Sequence, residues 1–460
     1  LVDRPAEAAD TAAILRSLAD ALADAVDVVR APVGWHLACE LVKRGHPFAA
    51  QTRQVTPAPR VPPVTAWHVR FPDGERVAPR DAEDRLSGAW ATAVGSEVES
   101  SQSRSRKHLP RDLLVEAGML TERDAASAAD AASATDPTGE DRCWLPRGAV
   151  VRDALLAHVA DNVAEVDAAP VETPDGSGPL STAPDVLGGD GRPWRRAELG
   201  RPVPEVVAAL APGRADAELV RSAALVSRVL APLVPDFLPV LRASEDREDA
   251  LADDLATTLD TPLLVGRRAG EGVDPVIEFV PVGASWAGER PRVECDPTAA
   301  EREDVMLADG RRPVVVRSSP LGSLASAVAA ALERGADRSP SRLPTWLAPT
   351  QVRFVPVRSD HVDRCDELAD DLPVGVRVDV DAREIPVGER TERAERDWVP
   401  YYAVVGGREA EGESFPVTDR AAREQRQTTV DQLSETVLDR IDDHPRPRAS
   451  VPARVPDASR

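Results

Sequence analysis

From Leu343 onward, apolar and polar positions alternate so regularly that they predict a compact α/β unit. "QVRFVPV" predicts a buried strand, and Val362, Cys365, Leu368 and Leu372 fall on one face of the helix after it. "GVRVDVD" alternates as a second strand, "GERTERAERDW" reads as a polar helix, and "PYYAVVGG" as a third strand. The last helix opens with a capping box, Thr429 to Gln432, and carries Val430, Leu433, Val437 and Ile441 on one face. The tail "DHPRPRASVPARVPDASR" predicts disorder.

Upstream the pattern is looser. Leu15, Leu18, Leu22 and Val26 keep helical spacing, a strand follows at Asp27 to Arg30, and "WHVRFPDGERV" predicts a hairpin around Asp73-Gly74. "SEVESSQSRSRKH" reads as a flexible linker and "DAASAADAASATDPTGED" as a second loose segment. A central region opens with a turn and helix in "CWLPRGAVVRDALLAHVADNV" and includes a helical run, "AELVRSAALVSRVLAPLV". It closes on "VVVRSSPLGSLASAVAAALE", a strand, a turn and a helix whose first turn carries no charge.

Length and charge narrow the function classes. The 460 residues suffice for two to four domains, and 42 prolines argue for long irregular connections. No apolar run approaches the roughly 20 residues that span a bilayer, and the opening "LVDRPAEAAD" does not read as a signal peptide, so a cytoplasmic protein is expected. Leu1 stands where an initiating Met would, leaving a fragment or an unusual start codon as alternatives. The formal charge is −22, with only two lysines, Lys43 and Lys107. A salt-rich cytoplasm favours such a surface, while GC-rich coding would also exchange Lys for Arg. Acidity of this size excludes generic, charge-driven nucleic-acid binding but leaves room for a local arginine-bearing site. Cys39, Cys143, Cys295 and Cys365 stand far apart without a C-x-x-C pair, and the seven histidines show no metal-ligand spacing.

In order along the chain, "LPTWLAPTQVRFVPV", "VRVDVDAREIPVGERTERAERDWVPYYAVVGGRE" and the final helix resemble the anticodon-binding domain of class II aminoacyl-tRNA synthetases, most closely the threonyl-tRNA synthetases. The rest resembles the archaeal type of that family. "VVRAPVGWHLACELVKRGHPF" looks like the end of its editing domain, which has a D-aminoacyl-tRNA-deacylase-like fold. "CWLPRGAVVRDALLAHV" with "PVETP" looks like motif 1, a dimer-interface element, and "EFVPVGASWAGERPRVECD" with the stretch Val314 to Glu333 looks like the end of the catalytic domain with motif 3. The resemblance implies a multidomain α/β and α+β chain. Residues 1–60 are part of an editing-like domain, 61–95 a hairpin and connection, and 96–142 a linker. Residues 143–340 form a reduced class II antiparallel-sheet domain, 343–443 the anticodon-binding domain, and 444–460 the disordered tail.

The departures from the family concern its chemistry. Its motif 3 carries an Arg for the ATP phosphates in Gly-Ser-x-Glu-Arg; here Gly322 and Ser323 remain, but Ala325 and Ser326 replace Glu and Arg. Phosphoryl chemistry needs fixed positive charge, which a serine cannot supply. Leu324, Val328 and Leu332 by themselves would explain that helix as a packing element. The Phe-Arg-x-Glu of motif 2 has no counterpart between Glu198 and Glu278, and the zinc ligands, one Cys and two His, are not recognisable. Positions matching the family's editing site are His36, Leu37 and Ala50, from which charge-assisted hydrolysis is hard to build. The resemblance therefore implies ATP and zinc as family ligands that this chain has lost, with no cofactor expected. Arg390, Arg393, Glu409 and Arg420 sit where the family contacts the anticodon. Arginine suits base edges because its planar fork donates parallel hydrogen bonds; a self-neutralising, solvated face would use the same residues. The expectation is a protein that binds tRNA(Thr) without charging it, as a homodimer or paired with the active synthetase, off the membrane. A hydrolase of Ser-tRNA(Thr) and an active ligase with divergent motifs are the alternatives.

Overall fold

A computed structural model of the chain describes residues 64–100, 119, 144–172, 179–184, 186–187, 193–200, 203–233, 236–270, 274–283, 286, 289–445 and 453–455. All of them fall in one unit, Pro63–Arg123 with Asp136–Arg460. The editing-like stretch 1–60, with its helix, its strand and the positions His36, Leu37 and Ala50, lies outside the described residues.

The described chain starts with the hairpin β1 (Val64–Arg70) and β2 (Arg76–Val77), then α1 (Gly88–Ser100) and α2 (Pro146–Ala164). Strands β3 (Ala169–Val171), β4 (Val186–Leu187), β5 (Trp194–Glu198) and β6 (Glu205–Leu210) lead to α3 (Ala215–Leu230). Next come β7 (Phe237–Ser244), α4 (Glu245–Leu259), β8 (Leu263–Arg268), β9 (Val276–Pro281) and β10 (Arg292–Asp296). Short α5 (Ala299–Arg302) and β11 (Met306–Leu307) precede β12 (Val314–Ser319) and α6 (Leu324–Ala336).

Ten of these strands make one sheet in the order β2-β1-β8-β7-β9-β10-β12-β6-β5-β3. It is antiparallel except where α4 carries the chain from β7 to a parallel β8, and where β3 lies parallel to β5. One face is largely apolar: Leu241, Ile277, Val293 and Val316 pack with Leu219 and Val226 of α3, Leu251 and Leu255 of α4, and Val328 of α6, while towards the two ends of the sheet Arg70, Arg267 and Arg195 meet carboxylates of α4 and α3. The buried positions of α3 and α4, such as Leu219, Ala223, Val226 and Leu230 or Leu251 and Leu255, recur at three and four residues, so each of these helices presents one stripe to the sheet. The opposite face has apolar cover only towards its two ends. Val69, Val240, Leu264 and Val280 lie with Val94 of α1, while Val207, Ala209 and Val315 lie with Ala299, Ala300 and Leu180.

Two expectations are corrected here. The hairpin is no mere connection, because β1 pairs with β8 along Val64 to Arg70 and so extends the central sheet. The presumed linker begins inside α1, and Glu97 of "SEVES" is 5% exposed. Distant arginines supply the countercharge that lets a polar helical turn sit on the sheet.

The C-terminal unit matches its sequence pattern closely. It comprises β13 (Val352–Pro356), α7 (Val362–Asp370), β14 (Val378–Val380), α8 (Val387–Arg396), β15 (Tyr401–Val405), α9 (Gly407–Glu411), β16 (Phe415–Asp419), β17 (Glu424–Thr428) and α10 (Val430–Asp439). Its sheet runs β14-β13-β15-β16-β17. Cys365, Leu368, Leu433, Val437 and Ile441 are buried as the spacing predicts, and Thr429 caps α10 with its Oγ1 accepting from Gln432 N at 3.3 Å. The tail is corrected in part. Ala453 O accepts from Val380 N at 2.9 Å and Val455 N donates to Val380 O at 3.1 Å, so residues 453–455 cover the open edge of β14.

Candidate functional site

In the C-terminal unit, the side of the sheet away from α7 and α10 is only partly covered. Register places Tyr402 beside Thr418, Thr418 beside Gln425, and Pro416 beside Gln427, all on that side. Tyr402, Pro416 and Thr418 are half-buried, and Gln425 and Gln427 are exposed. The result is an aromatic ring flanked by amides and a hydroxyl, with the exposed Glu395 accepting from the Tyr402 hydroxyl at 3.2 Å. Such a surface can stack an unpaired base and hydrogen-bond its edges. The signal in the sequence was "EQRQT", a strand-length polar run held between a turn and a capped helix.

The four residues picked from the sequence are placed differently from one another. Arg390 is 5% exposed, and its Nη1 donates to Asp381 O at 2.8 Å, so it binds α8 to the chain after β14 and does not face outward. It is one of two buried residues of α8, the other being Ala394 four positions on, which puts Arg390 on the packing stripe. Arg420 is 8% exposed and its Nη2 donates to Ser341 O at 3.2 Å, fastening the unit to the segment after α6. Burial pushes the pKa of both guanidinium groups down. Glu409 reaches back to the start of α9, its Oε2 accepting from Gly406 N at 3.0 Å. Arg393 is half-buried with its Nε 3.4 Å from Asp397.

Asp397 is a hub that sequence reasoning missed. Its carboxylate accepts from Arg147 Nη1 of α2 at 2.9 Å and Arg353 Nη1 of β13 at 3.0 Å, and its carbonyl accepts from Arg147 Nη2 at 2.9 Å. Burial opposes ionisation of Asp397, yet the three arginines hold its pKa below the usual carboxylate value. Arg353 also makes a fork to Asp379 at 2.7 and 2.9 Å.

The turn before α6 is a packing junction. Gly322 has φ of 54°, and a Cβ there would lie 2.1 Å from Glu289 O. Ser323 N donates to that same oxygen at 2.7 Å. Ser326 is buried, and its Oγ has no hydrogen-bond partner. Cys295 and Cys365 are buried too, and burial pushes each thiol up to about 12, the behaviour of small core residues. Cys143 lies outside the described residues.

Between the two apolar ends of the central sheet's second face runs a lane of charge. Arg242, Val276, Glu294 and Arg317 follow one another across β7, β9, β10 and β12. Arg317 donates to Asp296 and Glu205 at 2.9 Å each, Arg292 pairs with Glu289 at 2.7 Å, and Arg242 donates to Glu278 and Glu97. Fixed guanidinium groups on a sheet can meet an anion, but most of these already meet carboxylates of the same chain.

The family model described as the anticodon binding domain matches residues 351–440. A threonine–tRNA ligase of Methanoculleus marisnigri is 27% identical over 503 residues, spanning 92% of this chain and 80% of its own length. One from Methanococcoides burtonii is 34% identical over 231 residues, spanning 46% of this chain and 36% of itself. Among solved structures, the RNA binding domain of threonyl-tRNA synthetase from Cryptosporidium parvum superposes with a TM-score of 0.54 at 16% identity, covering 73% of this chain and 98% of that one. A threonyl-tRNA synthetase from Aeropyrum pernix gives 0.51 at 14% identity, covering 75% and 98%. These two likenesses concern the fold.

Proposed function

We propose that this chain, which has threonine–tRNA ligases as homologues over most of its length, is a cytoplasmic protein of translation. It binds tRNA(Thr) through its C-terminal unit and serves as an accessory or regulatory partner without aminoacylating it. The observation that carries the reading is the coincidence of the anticodon-binding match at 351–440 with an open sheet face bearing Tyr402, Thr418, Gln425 and Gln427. Anticodon bases are unpaired, so a stacking ring beside amide groups is the chemistry that reads them. With a net charge of −22, recognition must come from such local contacts more than from the overall field.

Two features support the second half of the reading. The turn at Gly322 and Ser323 leads into a helix whose first turn carries Ala325 and a buried Ser326 in place of a cation. The sheet-face arginines Arg242, Arg292 and Arg317 are held by carboxylates of the same chain. The extent of the match to ligases, 92% of the chain, favours one competing reading, an active threonine–tRNA ligase with divergent motifs.

A single set of assays separates them. Binding of tRNA(Thr) and of an anticodon-swapped tRNA is measured in high-potassium buffer, alongside threonine-dependent ATP–pyrophosphate exchange and hydrolysis of Ser-tRNA(Thr). Anticodon-dependent binding without exchange or hydrolysis is expected. Exchange above background would establish the ligase, hydrolysis would establish an editing factor, and absence of tRNA binding would remove the proposal.

A further inference from the structure

The sheet of the C-terminal unit has two edges. β17 carries Gln425 and Gln427 of the tRNA-reading face, whereas β14 lies at the other end of the order, beside β13. β14 pairs with β13 in parallel, Val378 next to Val352 and Val380 next to Phe354. In such a ladder alternate residues direct both N–H and C=O to the same side. Asp381 N donates inward to Phe354 O, and Val380, one residue earlier, directs both of its groups outward. The side chains here are already committed: Val380 is 1% exposed in the core, and Asp379 accepts from Thr350 and Arg353. What β14 offers a partner is therefore backbone.

That edge is taken by the chain's own tail. Arg454 lies parallel to Val380, with Ala453 O accepting from Val380 N at 2.9 Å and Val455 N donating to Val380 O at 3.1 Å. Arg454 reaches across to Asp366 of α7, and the two side chains remain 59% and 36% exposed. α7 carries Asp363, Asp366, Glu367 and Asp370 against a single Arg364, so an arginine is the side chain its charge selects. In sequence, Pro452 and Pro456 stand two positions to either side of Arg454. In an extended segment such positions share the outward direction of the Arg454 backbone, and a proline there has no N–H for a further strand. The segment is thus suited to close the sheet and not to prolong it. Two backbone hydrogen bonds and one exposed ion pair are also a light attachment, which opens readily.

The geometry points to a peptide-binding edge at β14: it takes an extended segment with an arginine between small or β-branched residues, and residues 453–455 are its resident ligand, holding the edge closed until they leave. Recognition is by strand addition, with backbone hydrogen bonds to Val380 and the arginine on Asp366. An arginine-bearing segment presented from outside competes with the tail for those same groups.

The test is amide hydrogen exchange at Val380 in the full chain, comparing wild type with the double variant Arg454→Glu, Val455→Pro. The variant reverses the charge that meets Asp366 and removes the N–H that reaches Val380 O, so its tail leaves the edge. Exchange at Val380 should become at least tenfold faster than in wild type. A synthetic peptide with the sequence of residues 449–457, added at millimolar concentration, should slow it again by a similar factor. Adding Asp366→Arg to the variant should cancel that rescue, and a peptide with Glu in place of its arginine should restore it. Equal exchange in wild type and the double variant would show that the tail does not hold the edge. Fast exchange that the peptide leaves unchanged, or a rescue indifferent to Asp366→Arg, would overturn the binding site. None of these readouts involves tRNA, and β14 and β17 lie at opposite ends of the sheet, so the two proposals stand or fall separately.

Discussion

Replacing Asp397 with Asn tests whether the arginine hub holds the C-terminal unit to α2. The substitution preserves shape and one acceptor but removes the charge shared by Arg147, Arg353 and Arg393. Arg353 is only 4% exposed yet keeps its fork to Asp379, so the change does not strand a buried cation. The loss is then one charge-assisted hydrogen bond in the interior, about 1.5–3 kcal/mol. The more exposed Arg147 adds under about 1 kcal/mol. A destabilisation of about 2–3 kcal/mol is expected, read as a lower urea midpoint by tryptophan fluorescence, with Trp398 adjacent to the mutation. A double-mutant cycle with Arg353→Met should give a coupling energy above about 1 kcal/mol. A change within about 0.5 kcal/mol for Asp397→Asn would refute the claim that this hub stabilises the unit. The depressed pKa of Asp397 also carries a sign: its contribution is present above the unfolded carboxylate range and is lost as pH falls through the folded value.

Gly322→Ala should cost at least about 2 kcal/mol, because φ of 54° is unfavourable for alanine and the new Cβ would lie 2.1 Å from Glu289 O; thermal unfolding checks this. His68 and His158 are both buried, and desolvation, the largest cause, lowers each to about 4, so the folded chain holds them neutral. Stability should therefore fall as pH drops from about 6.5 toward 4, by on the order of 1–3 kcal/mol per histidine, and His158→Gln should flatten its part of that slope in urea titrations across pH. Tyr402→Ala should weaken tRNA(Thr) binding about 5- to 100-fold in filter binding carried out well below the unfolding midpoint of the variant.

Much of the C-terminal unit was legible as sequence. The stripes Cys365–Leu368 and Leu433–Val437 and the capping box at Thr429 are local patterns, and local patterns survive into any fold that buries one face of a helix. The sequence alone also determined that a glycine turn and an uncharged helix start follow Val314–Ser319, because Gly322 and Ser326 need no partner to be read. Tertiary structure decided the rest. Pairing of β1 with β8 and the burial of Glu97 depend on residues far along the chain, and nothing in "SEVES" distinguishes a linker from a helix that meets Arg242 and Arg290. Arg390 and Arg420 likewise look in sequence like any other arginine of a polar face, and only the packing of α8 and of the segment at Ser341 turns them inward. Periodicity is set by near neighbours, whereas whether a charge is buried depends on which distant group arrives to compensate it.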